Sequence, residues 1–170
     1  MKETFKLINQ MQADGVIGKY AIGGAVGATF YLEPSATLDV DIFVTLGANP
    51  GSLLVSLAPI YDYLKGRGCR VEGEHIIVGD WPVQFLSASD ALEQEALAEA
   101  VTAEVEDQET HVMSAEHLAA IALRTARPKD FARLLQFVEL DVLDIDKLKS
   151  ILNRHGLTLK WQQFEQRYLR

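Results

Sequence analysis

The segment Thr37-Leu38-Asp39-Val40-Asp41-Ile42-Phe43-Val44 constrains this chain more than any other. Side chains alternate across a β-strand, so Asp39, Asp41 and Phe43 share one face while Val40, Ile42 and Val44 share the other. The second face must be buried in a core. The first carries two aspartates, a residue type depleted from strands. Ionised carboxylates beside a core are costly unless they bind something. At i and i+2 the two point the same way, close enough to share a divalent cation or to bridge two. Hard oxygen donors of this kind suit Mg²⁺ or Mn²⁺, which usually also coordinate substrate phosphates.

Upstream, Tyr20-Ala21-Ile22 reads as a short strand running into Gly23-Gly24. A Gly-Gly pair at a strand-to-helix turn lets the backbone approach a phosphate closely, and the following helix adds donors and a favourable dipole. Gly-Gly alone is common in turns. Its place fourteen residues before Asp39-Val40-Asp41 gives it meaning.

The rest of the chain supplies the frame. Phe5, Ile8 and Met11 form a helical stripe over residues 2–13, ended by Asp14-Gly15. Residues 25–32 predict a helix of small and apolar residues, broken at Glu33-Pro34-Ser35. Asn49-Pro50-Gly51 predicts a turn, followed by an amphipathic helix from Pro50 to Lys65. Residues 69–71 and 75–78 predict a hairpin and residues 81–86 a further strand, with Val83 and Phe85 opposite Gln84. A helix is expected from Asp90 to about Ala100, then one extended piece over residues 102–112. Helices are expected at 114–127, 129–140, 145–153 and 159–169. This order predicts an α+β fold, a small mixed β-sheet with flanking helices followed by a helical C-terminal part. The boundary is expected at 113/114: an α/β core over residues 1–113 and a helical region packed on it over residues 114–170.

Charge restricts the partners. The chain has 170 residues and a net charge of −8, which disfavours a general nucleic-acid-binding surface. The charge is unevenly placed. Residues 90–116 hold nine acidic and no basic residues, whereas residues 120–170 hold ten basic and six acidic, a net of +4. Such faces are usually solubility devices, unless a site gives the basic tail phosphates to contact. One cysteine, Cys69, excludes an internal disulfide and a cysteine-based zinc site, and reads as a small buried residue. The start of the chain lacks the apolar region of a signal peptide, and no apolar run reaches membrane-spanning length, so a soluble, cytoplasmic protein without membrane contact is expected. His75, His111, His117 and His155 are scattered without ligand spacing and read as ordinary surface or core residues.

Gly23-Gly24 with Thr37-Leu38-Asp39-Val40-Asp41-Ile42-Phe43-Val44 resembles the signature of the nucleotidyltransferase superfamily, which shares the DNA polymerase β-like fold. Within it, the chain resembles the small prokaryotic nucleotidyltransferases related to AbiEii-type toxins of type IV toxin–antitoxin systems. The stretches Glu116-His117-Leu118-Ala119-Ala120-Ile121-Ala122-Leu123 and Arg127-Pro128-Lys129-Asp130 resemble the helical motif of those proteins. The resemblance spans about residues 20–130. It implies that Gly23, Gly24 and the hydroxyl of Thr37 hold the triphosphate of an NTP, that Asp39 and Asp41 hold Mg²⁺ (or Mn²⁺), and that a hydroxyl attacks the α-phosphate in line and releases pyrophosphate. Arg124, Arg127 and Lys129 lie near the junction of two C-terminal helices; they reach phosphates or an acceptor if that junction faces the Asp-bearing strand, and otherwise are cations favoured by the dipole of a helix C-terminus. The acceptor is left open among RNA, protein and small molecule, as is assembly with a partner protein or a second copy.

The chain departs from this pattern. The family's third carboxylate belongs on the strand of residues 83–86, and the matching position is Gln84. A neutral amide accepts a hydrogen bond or weakly ligates a metal, but is not a general base at neutral pH. Glu72, Glu74 and Asp80 are the nearby carboxylates, and nothing in the sequence places them at the site. The alternative reading is therefore a catalytically degenerate module that binds a nucleotide or a partner without turnover.

Overall fold

The computed structural model describes residues 1–34, 36–37, 39–46 and 56–169. These form eight helices and a seven-stranded mixed sheet. In chain order they are α1 (Lys2–Ala13), β1 (Tyr20–Ile22), α2 (Gly24–Ala28), β2 (Val40–Val44), α3 (Ala58–Lys65), β3 (Arg70–Glu72), β4 (His75–Val78), β5 (Trp81–Ser87), α4 (Ala91–Ala98), β6 (Val101–Val105), β7 (Gln108–Val112), α5 (Ala115–Thr125), α6 (Pro128–Glu139), α7 (Ile145–Arg154) and α8 (Thr158–Tyr168).

The sheet order is β3-β4-β5-β2-β1-β7-β6. β2 lies at its centre, antiparallel to β1 and parallel to β5. The expected alternation of β2 is realised and sorts the molecule into two cores. Val40, Ile42 and Val44 join Val83, Phe85, Ile76 and Val78 on one face, under Phe5, Ile8 and Met11 of α1 and Ile60 and Leu64 of α3. Phe43 and Ala21 occupy the other face and pack with α4, α5, α6, α7 and α8 through residues such as Leu92, Leu118, Leu134, Ile151 and Trp161. Most of these side chains are wholly buried. Each such Leu, Ile or Phe contributes roughly 1.5–3 kcal/mol relative to an exposed position.

Local chemistry sets the helix ends. Asp90, Ser114 and Asp144 accept hydrogen bonds from the backbone N–H three residues on, capping α4, α5 and α7. Pro128 opens α6, and Asp130 reaches back to the backbone N–H of Arg127.

Three elements differ from the sequence expectation. The extended piece at 102–112 is a hairpin, β6–β7, whose turn places Glu106 and Asp107 at φ of 50° and 64°. Left-handed backbone at two acidic residues has no glycine to announce it. The helix expected from residue 25 to 32 is regular only to Ala28, and α3 begins at Ala58 with Ser56 and Leu57 outside it. The turn expected at Asn49-Pro50-Gly51 and the helix start at Pro50 lie outside the described residues. Among the described residues no helix is long and apolar enough to cross a membrane.

Candidate functional site

The parallel register of β2 and β5 pairs Asp41 with Gln84. Their strand neighbours Val40, Ile42, Val83 and Phe85 all enter the α1–α3 core, so both polar side chains emerge on the opposite face. There they line a cavity of about 390 Å³ between the sheet and the C-terminal helices. Gly24 completes the sheet side, while Phe43, Leu86 and Met113 give the floor an apolar part. Arg127, Asp130 and Arg133 of the α6 start bring charge to the opposing wall, and Arg124 and Glu93 to another edge.

Gly24 has no alternative here. Its φ is +58°, and a Cβ at this position would overlap the Asp41 carboxylate. Gly23 donates its N–H to the Asp41 carbonyl at 2.9 Å, locking the turn to β2, and a Cβ there would meet the Phe43 ring at 2.5 Å. The glycine pair therefore lets the β1–α2 turn sit directly on the carboxylate-bearing strand.

Of the residues singled out in the sequence, Gly24, Asp41 and Gln84 line the cavity together. Asp39, Gly23, Thr37 and Lys129 do not line it. Thr37 donates its hydroxyl to the Asp39 carbonyl at 3.2 Å, which shapes the entry into β2. Lys129 is exposed, yet near enough to act on the Asp41 charge.

Burial pushes the Asp41 carboxyl above its ordinary value, and the neighbouring Asp39 charge pushes it further; Lys129, Arg127 and Arg133 pull it back. The ionised Asp41 carboxylate is thus held against its preference, offset in part by cations from α6. Those cations are themselves arranged. Asp130 is 2% exposed and accepts from Arg127 Nε at 2.7 Å, with Arg133 at 3.8 Å. Arg124 is clasped by Asp90 and by Glu93, the latter at 2.7 Å. The carboxylates other than Asp41 on the cavity wall, Glu93 and Asp130, are thus both engaged by arginines.

Asp39 has a partner that sequence spacing did not reveal. His75 Nε2 lies 3.2 Å from Asp39 Oδ2, with both side chains about one-third exposed. His75 is on β4, and the antiparallel register that pairs Ile76 with Val83 sets His75 alongside Gln84. His75, Gln84 and Asp41 thus form a row across three neighbouring strands. No local signal could have shown this, because thirty-six residues separate His75 from Asp39.

A second ionic cluster lies elsewhere. Donor atoms of Glu95, Glu99 and His117 fall within 4.8 Å of one another, a grouping able to hold a metal ion. Glu95 is already bonded, however, to Arg154 at 2.6 Å, His155 at 2.8 Å and His117 at 3.1 Å. The Arg154 hydrogen bond leads in bringing the Glu95 carboxyl down to about 2. His117 is wholly buried; its Nε2–H donates to Glu95 while Nδ1 faces the Ser114 hydroxyl at 2.8 Å. Glu95 and His117 thus already have partners, and the cluster ties α4 to α5 and α7.

The Asp39–Asp41 pair is different in kind. A buried Asp41 carboxyl with Asp39 two residues before it, an amide oxygen in register and a turn stripped of Cβ atoms offer oxygen donors of the kind that suit Mg²⁺ or Mn²⁺.

No protein-family model matches the chain, and no curated protein matches its sequence. Among solved structures, an antigenic nucleotidyltransferase-like protein from Paracoccidioides brasiliensis superposes with a TM-score of 0.53 at 14% identity, over 81% of this chain and 74% of that one. This chain has a nucleotidyltransferase-like fold. The antibiotic-resistance factor ANT(2'')-Ia is also similar, with a TM-score of 0.49 at 16% identity, over 94% of this chain and 96% of its own. In the complex of that factor with adenylyl-2''-tobramycin the identity is 17% and the TM-score again 0.49, over 96% of this chain and 98% of that one. The small mixed sheet with flanking helices expected from the sequence is observed as a seven-stranded mixed sheet with eight helices.

Proposed function

We propose that the cavity binds a nucleoside triphosphate together with Mg²⁺ or Mn²⁺ and transfers the nucleoside monophosphate to a hydroxyl acceptor. The observation that carries this reading is the convergence of Asp41, Gln84 and Gly24 with Arg127 and Arg133 on one cavity. Asp39 and Asp41 would hold the divalent ion. When bound, it neutralises phosphate charge and stabilises the attacking and leaving oxygens of an in-line displacement.

The chain's own residues supply the rest. The turn at Gly23-Gly24 lies directly against the Asp41 carboxylate and the Phe43 ring, so Gly24 would bring bare backbone to the triphosphate beside the metal-holding residues. Arg127 and Arg133, oriented by Asp130, offer guanidinium groups of the geometry that grips phosphate. Lys129, exposed and near enough to act on the Asp41 charge, adds a further cation. The apolar floor of Phe43, Leu86 and Met113 offers a surface for the flat face of a base or for an acceptor. Gln84 accepts a hydrogen bond from the acceptor hydroxyl but does not take its proton.

Gln84 also favours a second reading, a module that binds the nucleotide without turnover. Neither Glu93 nor Asp130 is free to stand in for the missing carboxylate. One experiment separates the readings: calorimetric titration of Mg-ATP, GTP, CTP and UTP into wild type and Asp41→Ala, then incubation with α-labelled NTP and cell extract. Metal-dependent binding lost in Asp41→Ala, with label transferred, is the expected result. Binding without transfer, with transfer gained in Gln84→Asp, selects the second reading. Binding untouched by Asp41→Ala overturns the site.

A further inference from the structure

We propose that the crevice between α8 and the α5–α6 joint is a second binding site, which takes a small planar ring carrying a carboxylate or phosphate. It shares no lining residue with the Asp41 cavity and does not depend on how that cavity is read.

Helical spacing builds it. Lys160, Phe164 and Arg167 stand at i, i+4 and i+7 on α8, with Tyr168 beside them, so one face carries two rings and two cations. Leu123 of α5 and Phe131 of α6 form the other side, and a cavity of about 180 Å³ lies between. An apolar cavity of about 150 Å³ accommodates benzene, so this volume suits a single ring.

The lining suits a flat guest with a negative charge. Phe131 and Phe164 stack with centroids 5.9 Å apart and planes inclined by 21°. Tyr168 lies 5.7 Å from Phe131 and 5.2 Å from Phe164. Phe164 is buried, whereas Phe131 and Tyr168 are half-buried and leave ring surface open to a ligand. The charges are of one sign. Around the Asp41 cavity, Arg124, Arg127 and Arg133 each meet a carboxylate. Here, among the described residues, no acidic side chain lines the cavity. Lys160 donates to the Arg124 carbonyl at 3.1 Å, and the Arg167 guanidinium lies 5.2 Å from the Tyr168 ring centre. Both cations are exposed and keep further donors for an anion. Rings alone would bind any apolar guest; rings beside two cations select one with a carboxylate or phosphate.

The test uses the full chain with carbon-13 in its leucine methyl groups and four probes: benzoate, phenyl phosphate, benzyl alcohol and acetate. Each is titrated by NMR into wild type, Lys160→Gln/Arg167→Gln and Arg133→Gln, all checked for folding by circular dichroism. The double variant changes exposed positions only, and Arg133→Gln removes a cation of the Asp41 cavity. Benzoate and phenyl phosphate should give saturable shifts of the Leu123 methyls, with nuclear Overhauser contacts from the probe ring to those methyls. Their affinity should fall about tenfold in the double variant, the combined effect of two exposed ion pairs, and hold in Arg133→Gln. Benzyl alcohol and acetate should bind more weakly than benzoate, since each lacks one half of the recognition. No saturable change at Leu123 overturns the site. Benzyl alcohol binding as tightly as benzoate overturns the anion preference, and acetate binding as tightly overturns the ring. Binding lost in Arg133→Gln but kept in the double variant places the probes in the Asp41 cavity and overturns the proposal too.

Discussion

On the face of the sheet under α1 and α3, the side chains of β2 and β5 meet only apolar partners, and Val40, Ile42, Val44 and Val83 are wholly buried. On the opposite face the same two strands present Asp41 and Gln84 to a cavity walled by arginines and carboxylates. A single alternation of side chains produces both. The closed face anchors β2 through its buried side chains, so the open face can keep Asp41 in a buried setting within reach of the Asp39 charge. Without that support the raised Asp41 carboxyl would relax by moving away from Asp39 or from its buried setting. The difference teaches that stability and binding are separable here by residue parity along one strand.

Substitutions test that separation. The largest effect belongs to the closed face: Phe85→Ala should cost about 3–5 kcal/mol in urea denaturation, while the folded fraction keeps its nucleotide affinity. A drop in affinity at full folding would break the division. Gly24→Ala comes next. Its backbone strain costs about 1–2 kcal/mol, but its Cβ falls on the Asp41 carboxylate, so calorimetry should show nucleotide affinity reduced by at least about tenfold, equivalent to 1.4 kcal/mol. Unchanged affinity would place the nucleotide elsewhere.

A third prediction concerns pH and the Glu95 cluster, whose arginine and histidine partners hold its carboxyl down from 4.5 to about 2. A carboxyl depressed by folding stabilises the protein when ionised. That contribution is fully present above about pH 4.5 and is lost as pH falls through about 2. Melting temperatures of wild type and Glu95→Gln should therefore differ most near neutrality and converge at low pH; a gap that widens on acidification would contradict the assignment. The smallest effect is Asp41→Asn. Removing a charge that burial and Asp39 disfavour should leave the metal-free melting temperature at or above wild type, although the nucleotide site is disabled. Destabilisation would mean that Asp41 serves the fold rather than the site.

Much of this was legible in the sequence, for identifiable reasons. The β2 alternation, the glycine pair and the helical stripes are local patterns, and local geometry preserved them. Asp41 and Gly24 could be singled out because strand parity and turn chemistry are short-range rules, and Gln84 because of the resemblance to the nucleotidyltransferase pattern. The β6–β7 turn escaped because Glu106 and Asp107 adopt left-handed backbone without a glycine. His75 escaped because its link to Asp39 depends on two strand registers, not on spacing along the chain. Arg133 and Glu93 escaped likewise, since only the packing of α4 and α6 against the sheet brings them to the cavity.

The central claim is that the open face holds a metal–nucleotide at Asp39 and Asp41. Crystals grown with MnCl₂ and a non-hydrolysable NTP analogue test it most directly, because anomalous scattering locates Mn²⁺ independently of any assumption about the ligand. The account predicts a manganese peak between the Asp39 and Asp41 carboxylates, with triphosphate density over Gly24 and against Arg127. A peak at Glu95, Glu99 and His117, or nucleotide density away from β2, would contradict it.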